Sequence, residues 1–234
     1  MKILFLILLT SATRATTDVE KFLSPNAVMR QLFEIFRNTI KNGNNENNVP
    51  ILDPFKILQN ELNIHHANMR LFANITNGVY SGLGDFQLKE IFFLKEELAI
   101  DLTLLFPKLI MESDNYEMKG YIFGLFLFGQ GILRFEVKNL EIKSKVHLTL
   151  SENGIATLIG KFENPQFSVR KILSNTEFDG NIDCIINNIV KDVLAAYITR
   201  FNKYILYTFS ETIKNYINIF LDRFDTWRII SSLR

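Results

Sequence analysis

The sequence has few of the residues on which enzymes and disulfide scaffolds depend. Its 234 residues include one cysteine, one tryptophan and three histidines. The single cysteine, Cys184, excludes an internal disulfide, so the stability of the fold must come from an apolar core. Because isoleucines surround Cys184 near the start of a helical pattern, we expect a buried, inert thiol, with pairing to a second chain as the alternative.

An excess of charge of one sign is also missing. The 26 lysines and arginines nearly balance the 25 acidic residues, which leaves a net charge of +1. This balance gives no electrostatic basis for binding nucleic acid, so no nucleic-acid partner is expected. Cations interrupt the long apolar pattern near the C-terminus, so we expect no integral membrane segment. These cations are Lys191, Arg200, Lys203 and Lys214.

The motifs of catalysis and cofactor binding are absent as well. The chain has no Gly-x-Ser-x-Gly elbow and no phosphate-binding loop, and the glycines at residues 82–84 and 129–131 lack the third glycine of a dinucleotide fingerprint. His65 and His66 are adjacent, which on a strand directs them to opposite faces, and His147 shares a polar strand face with lysines. We therefore predict that the chain is not an enzyme and holds no metal and no cofactor.

The N-terminus has the pattern of a secretory signal peptide. Lys2 precedes an apolar run at residues 3–9, and small polar residues lead to Ala15. The run is much shorter than the roughly 20 apolar residues of a membrane span, which disfavours a membrane anchor. We predict a signal peptide at residues 1–15, one domain at residues 16–234 and an extracellular location. The sequon at Asn74 predicts a glycosylation site and agrees with secretion.

The C-terminal residues 181–234 contain neither glycine nor proline. Apolar residues recur there every fourth position, which predicts a helix of about 40 residues, roughly 60 Å long. A step of four overshoots the 3.6-residue turn by about 40°, so the apolar stripe rotates around the axis. Such a helix needs a cover that also turns, and we predict a central helix wrapped by other elements. The later members of the stripe are Ile189, Val193, Tyr197, Phe201, Ile205, Phe209, Ile213, Ile217 and Leu221.

The remainder of the chain predicts one short helix and an antiparallel sheet. Ser24 and Pro25 form a helix-start signal, and the helical spacing continues to about Lys41. From Phe55 to about Leu150, and most clearly in the second half of this range, apolar residues alternate with polar ones, which predicts strands with one polar and one apolar face. Weaker strands are predicted at residues 162–173. The combination predicts an α+β fold in which the sheet must curl around the long helix.

Several segments resemble the insect haemolymph juvenile-hormone-binding and takeout family. Residues 49–57 are similar to its Pro-Pro-Leu-Asp-Pro-Leu segment, residues 102–112 to its central strand pair, and residues 116–131 to the hairpin that follows. With residues 139–142 and the C-terminal helix, the resemblance covers essentially the whole mature chain. It implies a tubular lipid-binding fold, in which a highly curved antiparallel sheet wraps the helix and the tunnel between them holds a small apolar ligand.

We therefore predict a secreted, monomeric carrier or sensor of a small hydrophobic ligand, such as a terpenoid hormone or a fatty acid. The alternative is an interaction protein that uses the same scaffold with a filled core. Four tyrosines are candidate hydrogen-bond donors to a ligand, and which of them face inward stays open: Tyr116, Tyr121, Tyr197 and Tyr204. The predicted lining is Phe33, Phe36, Leu102, Leu104, Phe106, Met111, Phe135, Val137, Tyr197, Phe201 and Ile205.

Overall fold

The computed structural model describes residues 24–66, 69–122, 125–177 and 183–233. The predicted signal peptide and its cleavage site lie outside these residues. The first helix, α1 (Pro25–Asn42), begins as the sequence predicts, because the Ser24 side chain accepts a hydrogen bond from the Ala27 N–H and Pro25 occupies the first turn.

Six antiparallel strands follow α1 and form one sheet. They are β1 (Phe55–His66), β2 (Met69–Ser81), β3 (Gln87–Leu94), β4 (Ala99–Ile122), β5 (Leu125–Leu150) and β6 (Thr157–Ser174). Their order is β1-β2-β4-β5-β6. The first part of β4 pairs with β3, and the last part of β4 pairs with β2. The sheet is curved, and the prediction of a single-domain α+β fold with a curved antiparallel sheet and a C-terminal helix is confirmed.

Pro107 lies inside β4, where a strand normally excludes proline because its nitrogen cannot donate to the ladder. The position is tolerated because β3 stops pairing at Leu105 and β2 begins at Ile110. The opposite strand is irregular at the same level, since Asn139 has a φ of 50° and pairs with no residue of β4.

The segment before β1 is fixed by a carboxylate. Asp53 accepts hydrogen bonds from the N–H groups of Gly82 and Gly84, at 2.9 and 2.7 Å. Gly82 has a φ of 96°, and a Cβ there would lie 2.0 Å from the Lys108 carbonyl oxygen, so only glycine fits. Gly82 and Gly84 therefore provide the N–H donors of this anchor, and Asp53, which precedes Pro54 in the segment that resembles the family, provides the carboxylate.

The predicted C-terminal helix extends over residues 183–221, but it is not uniform. It consists of α2 (Asp183–Ile189), a π-helical turn (Val190–Leu194), α3 (Ala195–Arg200) and α4 (Asn202–Leu221), with an interruption at Phe201. A π turn holds more residues than an α turn, so it offsets part of the rotation expected for a four-residue step. After a short break, α5 (Trp227–Ser232) completes the chain.

Three apolar clusters lie on the inner face of the sheet. The end cluster joins α1, β3, β4 and α5, and the hairpin cluster lies where β2, β4 and β5 run together. The helix cluster packs β5 and β6 against the start of the long helix. Their buried members are Met29, Leu32, Ile91, Phe93, Ile100 and Ile230 in the end cluster, Ile75, Tyr116 and Leu133 in the hairpin cluster, and Val169, Ile172 and Ala195 in the helix cluster.

Polar side chains attach the long helix to the outer edge of β6. The Asn218 amide accepts from the Ile159 N–H at 2.8 Å and donates to the Ile159 carbonyl at 2.9 Å. Thr199 accepts from the Val169 N–H at 3.0 Å. Just beyond β6, the Asn187 amide makes the same pair of bonds to the Thr176 backbone. We call Asn187, Thr199 and Asn218 the edge clasp, because they satisfy edge groups that another strand would otherwise pair.

Candidate ligand-binding site

A row of apolar side chains along the long helix is left partly uncovered. Their exposed fractions lie between 36% and 54%, whereas the helix cluster beside them is buried. Ile205 continues the same four-residue spacing and is half-buried. We call this row the open stripe, and it consists of Ile189, Val193, Tyr197, Phe201, Phe209, Ile213 and Ile217.

The two ends of the open stripe lie near two of the apolar clusters. At its C-terminal end, Ile217 shares a helix face with Phe220, whose ring centroid lies 5.9 Å from that of Phe36 in α1. Near its N-terminal end, Ile198 follows Tyr197 and packs in the helix cluster with Phe135 and Val137 of β5. The stripe thus connects the aromatic surface of the end cluster with the helix cluster.

The predicted lining residues of α1 and early β4 lie at the end cluster. Phe33 and Phe36 are partly buried against it, with ring centroids 6.2 Å apart, and Leu102 packs there too. Phe106 is half-buried and its ring lies 6.1 Å from Phe86, which itself lies 6.3 Å from Phe33. These rings close one end of the apolar interior by packing on one another. Leu104 is half-buried in the same strand.

The other predicted lining residues lie nearer the middle and the opposite end. Met111 packs on the hairpin cluster, Val137 packs on the helix cluster, and Phe135 contacts both. Tyr197 and Phe201 belong to the open stripe, with ring centroids 4.6 Å apart. The structure therefore spreads the predicted lining over separate parts of the fold and does not gather it around a single point.

The four candidate tyrosines differ in their surroundings. Tyr116 is buried, and its hydroxyl donates to the Glu177 carbonyl at 2.5 Å, so it is engaged within the fold. Burial, together with the nearby carboxylates of Asp183 and Glu177, raises the pKa of Tyr116 to about 12. Tyr121 lies on the outer face of the sheet, and Tyr204 is more than half exposed. Tyr197 belongs to the open stripe and is 42% exposed.

A charged group lies on the outer face. His147 and Glu163 are joined by a 2.7 Å contact between Nε2 and Oε2, and this hydrogen bond is the main cause that lowers the pKa of Glu163. With Glu97 they bring ligand-type atoms within 4.8 Å of one another. The Lys145 ammonium lies 3.1 Å from Glu97 and 3.9 Å from Glu163, so a cationic side chain already neutralises these carboxylates. The group is a network of ion pairs and a hydrogen bond. His147 was expected at a solvated surface position, but its side chain is only 19% exposed and contacts Glu163.

Two depressions of the described surface lie away from the predicted lining. The larger, about 490 Å³, is lined mainly by polar outer-face residues that include Lys143 and Glu163, with Leu102 the one predicted residue at its rim. The smaller, about 250 Å³, lies across β1, β2 and β4 near Ser113. Mixed charge makes both poor sites for an apolar ligand.

Two further sequence expectations concern single residues. The expected burial of Cys184 is wrong: its side chain is exposed on α2, on the face where Asn188 donates to its sulfur at 3.5 Å. Asn74 lies on the outer face of β2, between Glu61 of β1 and Glu117 of β4, which is compatible with the predicted sequon but does not test its use.

Among the described residues, no helix has the length and apolar character needed to cross a membrane.

Five residues of the open stripe were not among the predicted lining. The four-residue spacing had identified all of them as apolar helix positions, but it could not separate covered positions from uncovered ones. They are Ile189, Val193, Phe209, Ile213 and Ile217.

Together, the fold and this surface define a class of protein: an α+β domain with a curved antiparallel sheet and a long C-terminal helix whose apolar stripe is left partly uncovered. The chain belongs to the haemolymph juvenile hormone binding protein (JHBP) family, whose sequence model matches residues 4–231. That description is of a binding protein, not of an enzyme.

A solved structure supports the same fold. Takeout 1 from Epiphyas postvittana is similar to this chain with a TM-score of 0.62 and 16% identity, over 86% of this chain and 93% of that one. Lipopolysaccharide binding protein gives a TM-score of 0.29 at 11% identity, over 74% of this chain and 37% of that one, which is too low to carry an argument. A search of curated proteins finds no match.

Proposed function

We propose that the chain is a secreted carrier or sensor that binds a small hydrophobic molecule between the long helix and the inner face of the sheet. The ligand class is a terpenoid hormone or a fatty-acid-like lipid. Membership of a family described as hormone-binding and haemolymph-borne supports both the ligand class and the extracellular location. The signal-peptide pattern of residues 1–15 supports secretion independently.

The observation that carries this proposal is the open stripe. Seven large apolar side chains that follow one another along a helix, each more than a third exposed, form a continuous apolar surface that water would otherwise cover. The edge clasp and the helix cluster hold the other side of the same helix against β6. The helix is therefore fixed in place while its apolar stripe is left available to a ligand.

The energy of burial sets the affinity that such a surface can supply. Covering about 400 Å² of apolar ligand surface gives roughly 10 kcal/mol at about 25 cal/mol per Å². Loss of ligand freedom costs at least about 4 kcal/mol, which leaves a dissociation constant of roughly tens of micromolar. Tighter, selective binding needs a polar contact, and we propose the Tyr197 hydroxyl as the donor of that contact.

The test uses a fluorescent fatty acid in vesicle-free buffer. Phe201→Asp places a carboxylate in the open stripe, and we expect at least a tenfold loss of affinity because the ligand would have to bury a charge. Tyr207→Asp is the matched control, since Tyr207 lies on the same helix and is 86% exposed. Both variants should keep the wild-type melting temperature within a few degrees. Equal affinity of the two variants would remove the stripe from the binding site.

Native mass spectrometry distinguishes the carrier from the alternative interaction protein. A carrier purified under gentle conditions should retain a lipid-sized mass that is lost on denaturation, and Phe201→Asp should retain less of it. A filled scaffold should retain none in either form. N-terminal sequencing of the secreted protein should begin at Thr16, and a glycosidase-sensitive mass on Asn74 should vanish in Asn74→Gln.

A further inference from the structure

An exposed aromatic surface lies on the outside of the sheet, at the end opposite α1. The alternation of side chains defines it: Met118 packs inward on the hairpin cluster, so Lys119 does not share its face, and Tyr121 lies on the same outward side as Lys119. Phe126 lies opposite Tyr121, and Phe128 lies opposite Lys119. We call Phe72, Tyr121, Phe126 and Phe128 the outer aromatic patch.

The patch is open to solvent. Phe126 is 60% exposed, Tyr121 53% and Phe128 38%. The rings of Tyr121 and Phe126 contact each other with centroids 5.2 Å apart, so they form one surface. The carrier site cannot explain this patch, because the inner surface lies on the opposite face of the same strands.

The two rows nearest this end of the sheet combine basic side chains with aromatic rings. The first row is His65, Arg70, Tyr121 and Phe126, and the second is Asn63, Phe72, Lys119 and Phe128. The Lys119 ammonium lies 5.5 Å from the centre of the Phe72 ring. Acids begin only in the third row, with Glu61 and Glu117, and Glu117 lies 3.9 Å from the Lys119 ammonium. The outermost surface is therefore aromatic and positively charged.

We infer that the outer aromatic patch docks the protein on lipid membranes that carry anionic headgroups. Aromatic side chains partition into the interface between headgroups and acyl chains, and Arg70 and Lys119 supply the complementary charge for anionic lipid. With the two cations beside the rings, binding is reversible and weakens as salt screens the charges. Docking at this end would bring the protein to a bilayer from which an apolar molecule can be exchanged.

The first test places a fluorescent reporter in the patch. The chain has one tryptophan, Trp227, at the start of α5, so Trp227→Phe removes the background and Phe126→Trp reports on the patch alone. Emission should shift to the blue on adding phosphatidylcholine vesicles that contain phosphatidylserine, and less with phosphatidylcholine alone. Tyr207→Trp in the same background is the control, and it should not shift. Equal shifts at the two positions, or none at Phe126→Trp, would overturn the proposal.

The second test measures cosedimentation with the same vesicles. Phe126→Ser with Phe128→Ser should abolish most binding, whereas Tyr207→Ser with Tyr216→Ser should not. Should the aromatic variant fail to fold, Arg70→Gln and Lys119→Gln leave the rings in place, and each should weaken partitioning roughly fivefold. Unchanged binding of the charge variants would overturn the proposal.

Sedimentation velocity tests whether a second copy of the chain, and not a membrane, covers the outer aromatic patch. A wild-type dimer that becomes monomeric in Phe126→Ser with Phe128→Ser, without vesicle binding, would make the patch an interface between copies and overturn the proposal. The carrier function is tested separately by fatty-acid binding in vesicle-free buffer, so failure of either result is distinguishable from failure of the other.

Discussion

The end cluster and the open stripe are built from the same kinds of residue but differ in how they are covered. In the end cluster, Ile91 is 1% exposed and helices from both ends of the chain close over β3 and β4. Along the open stripe, Ile213 is 40% exposed although it lies in the middle of a long helix. Composition is therefore a poor guide to which apolar residues form the core.

The difference separates two tasks of apolar surface. At the end cluster, α1 and α5 supply the partners that bury β3 and β4, and close packing there fixes the fold. Along the stripe, the edge clasp and the helix cluster secure the helix from its other side, so the stripe is not needed to hold the helix. Apolar surface that the fold does not need to bury is available for a ligand.

The largest expected effect compares isoleucines from the two regions. Ile91→Ala should destabilise the protein by about 2–5 kcal/mol, because it removes buried methyl groups and leaves a cavity. Ile213→Ala should cost less than about 1 kcal/mol, because the side chain is partly in solvent, yet it should weaken fatty-acid binding. Chemical denaturation of both variants measures the loss of stability, and ligand titration measures the loss of affinity. Similar losses of stability would mean that the stripe belongs to the core.

A smaller effect is expected at the edge clasp. Asn218→Ala leaves the N–H and carbonyl of Ile159 without their side-chain partners, which should cost about 1–3 kcal/mol. Asn215→Ala is the control, since Asn215 is an exposed residue one turn earlier in the same helix. Hydrogen exchange should show faster exchange of the Ile159 amide in Asn218→Ala only. Protection equal to wild type would show that the stripe, and not the clasp, holds the helix.

The smallest effect concerns the hairpin cluster, which also lies apart from the open stripe. Tyr116→Phe loses the hydrogen bond to Glu177 and should cost about 1 kcal/mol at neutral pH. Because the pKa of Tyr116 in the folded protein is raised to about 12, its contribution is complete below the ordinary value of about 10 and is lost as the pH rises through about 12.

The measurement is the difference in unfolding free energy between wild type and Tyr116→Phe as a function of pH. This difference should shrink between pH of about 10 and 12, in line with the pKa of Tyr116. A difference that stays constant across this range would place the phenol in a more solvated position than the structure shows. Ligand affinity should not change in either case, because Tyr116 is engaged within the fold.

Periodicity predicted much of the architecture from the sequence. The alternation in β4 and β5 and the four-residue spacing of the long helix are local patterns, and local geometry determines them. The capping signal at Ser24 and Pro25 predicted the start of α1 correctly. The rotating stripe of the long helix predicted a cover that curls around it, and the family resemblance implied the same arrangement.

The features that the sequence did not predict depend on contacts between distant segments. Which side of the helix faces β6 is decided by Thr199 and Asn218, whose partners lie 30 and 59 residues earlier in the chain. The isoleucines beside Cys184 predict a buried thiol. However, the orientation of α2 that Asn187 fixes leaves Cys184 exposed. The membership of the binding surface depends on the same orientation, so the choice of lining residues stays a prediction.

The edge clasp also bears on solubility. A strand at the rim of a sheet offers unpaired amides and carbonyls to any other extended chain, and aggregation by this route is a recurrent hazard of antiparallel proteins. In this protein Asn218 and Thr199 occupy such groups at Ile159 and Val169 of β6, and Asn187 occupies those of Thr176 just beyond the strand. If the helix moved away from β6 to admit a bulky ligand, the edge of β6 would be exposed. A protein carrying such a ligand would therefore be more prone to aggregate.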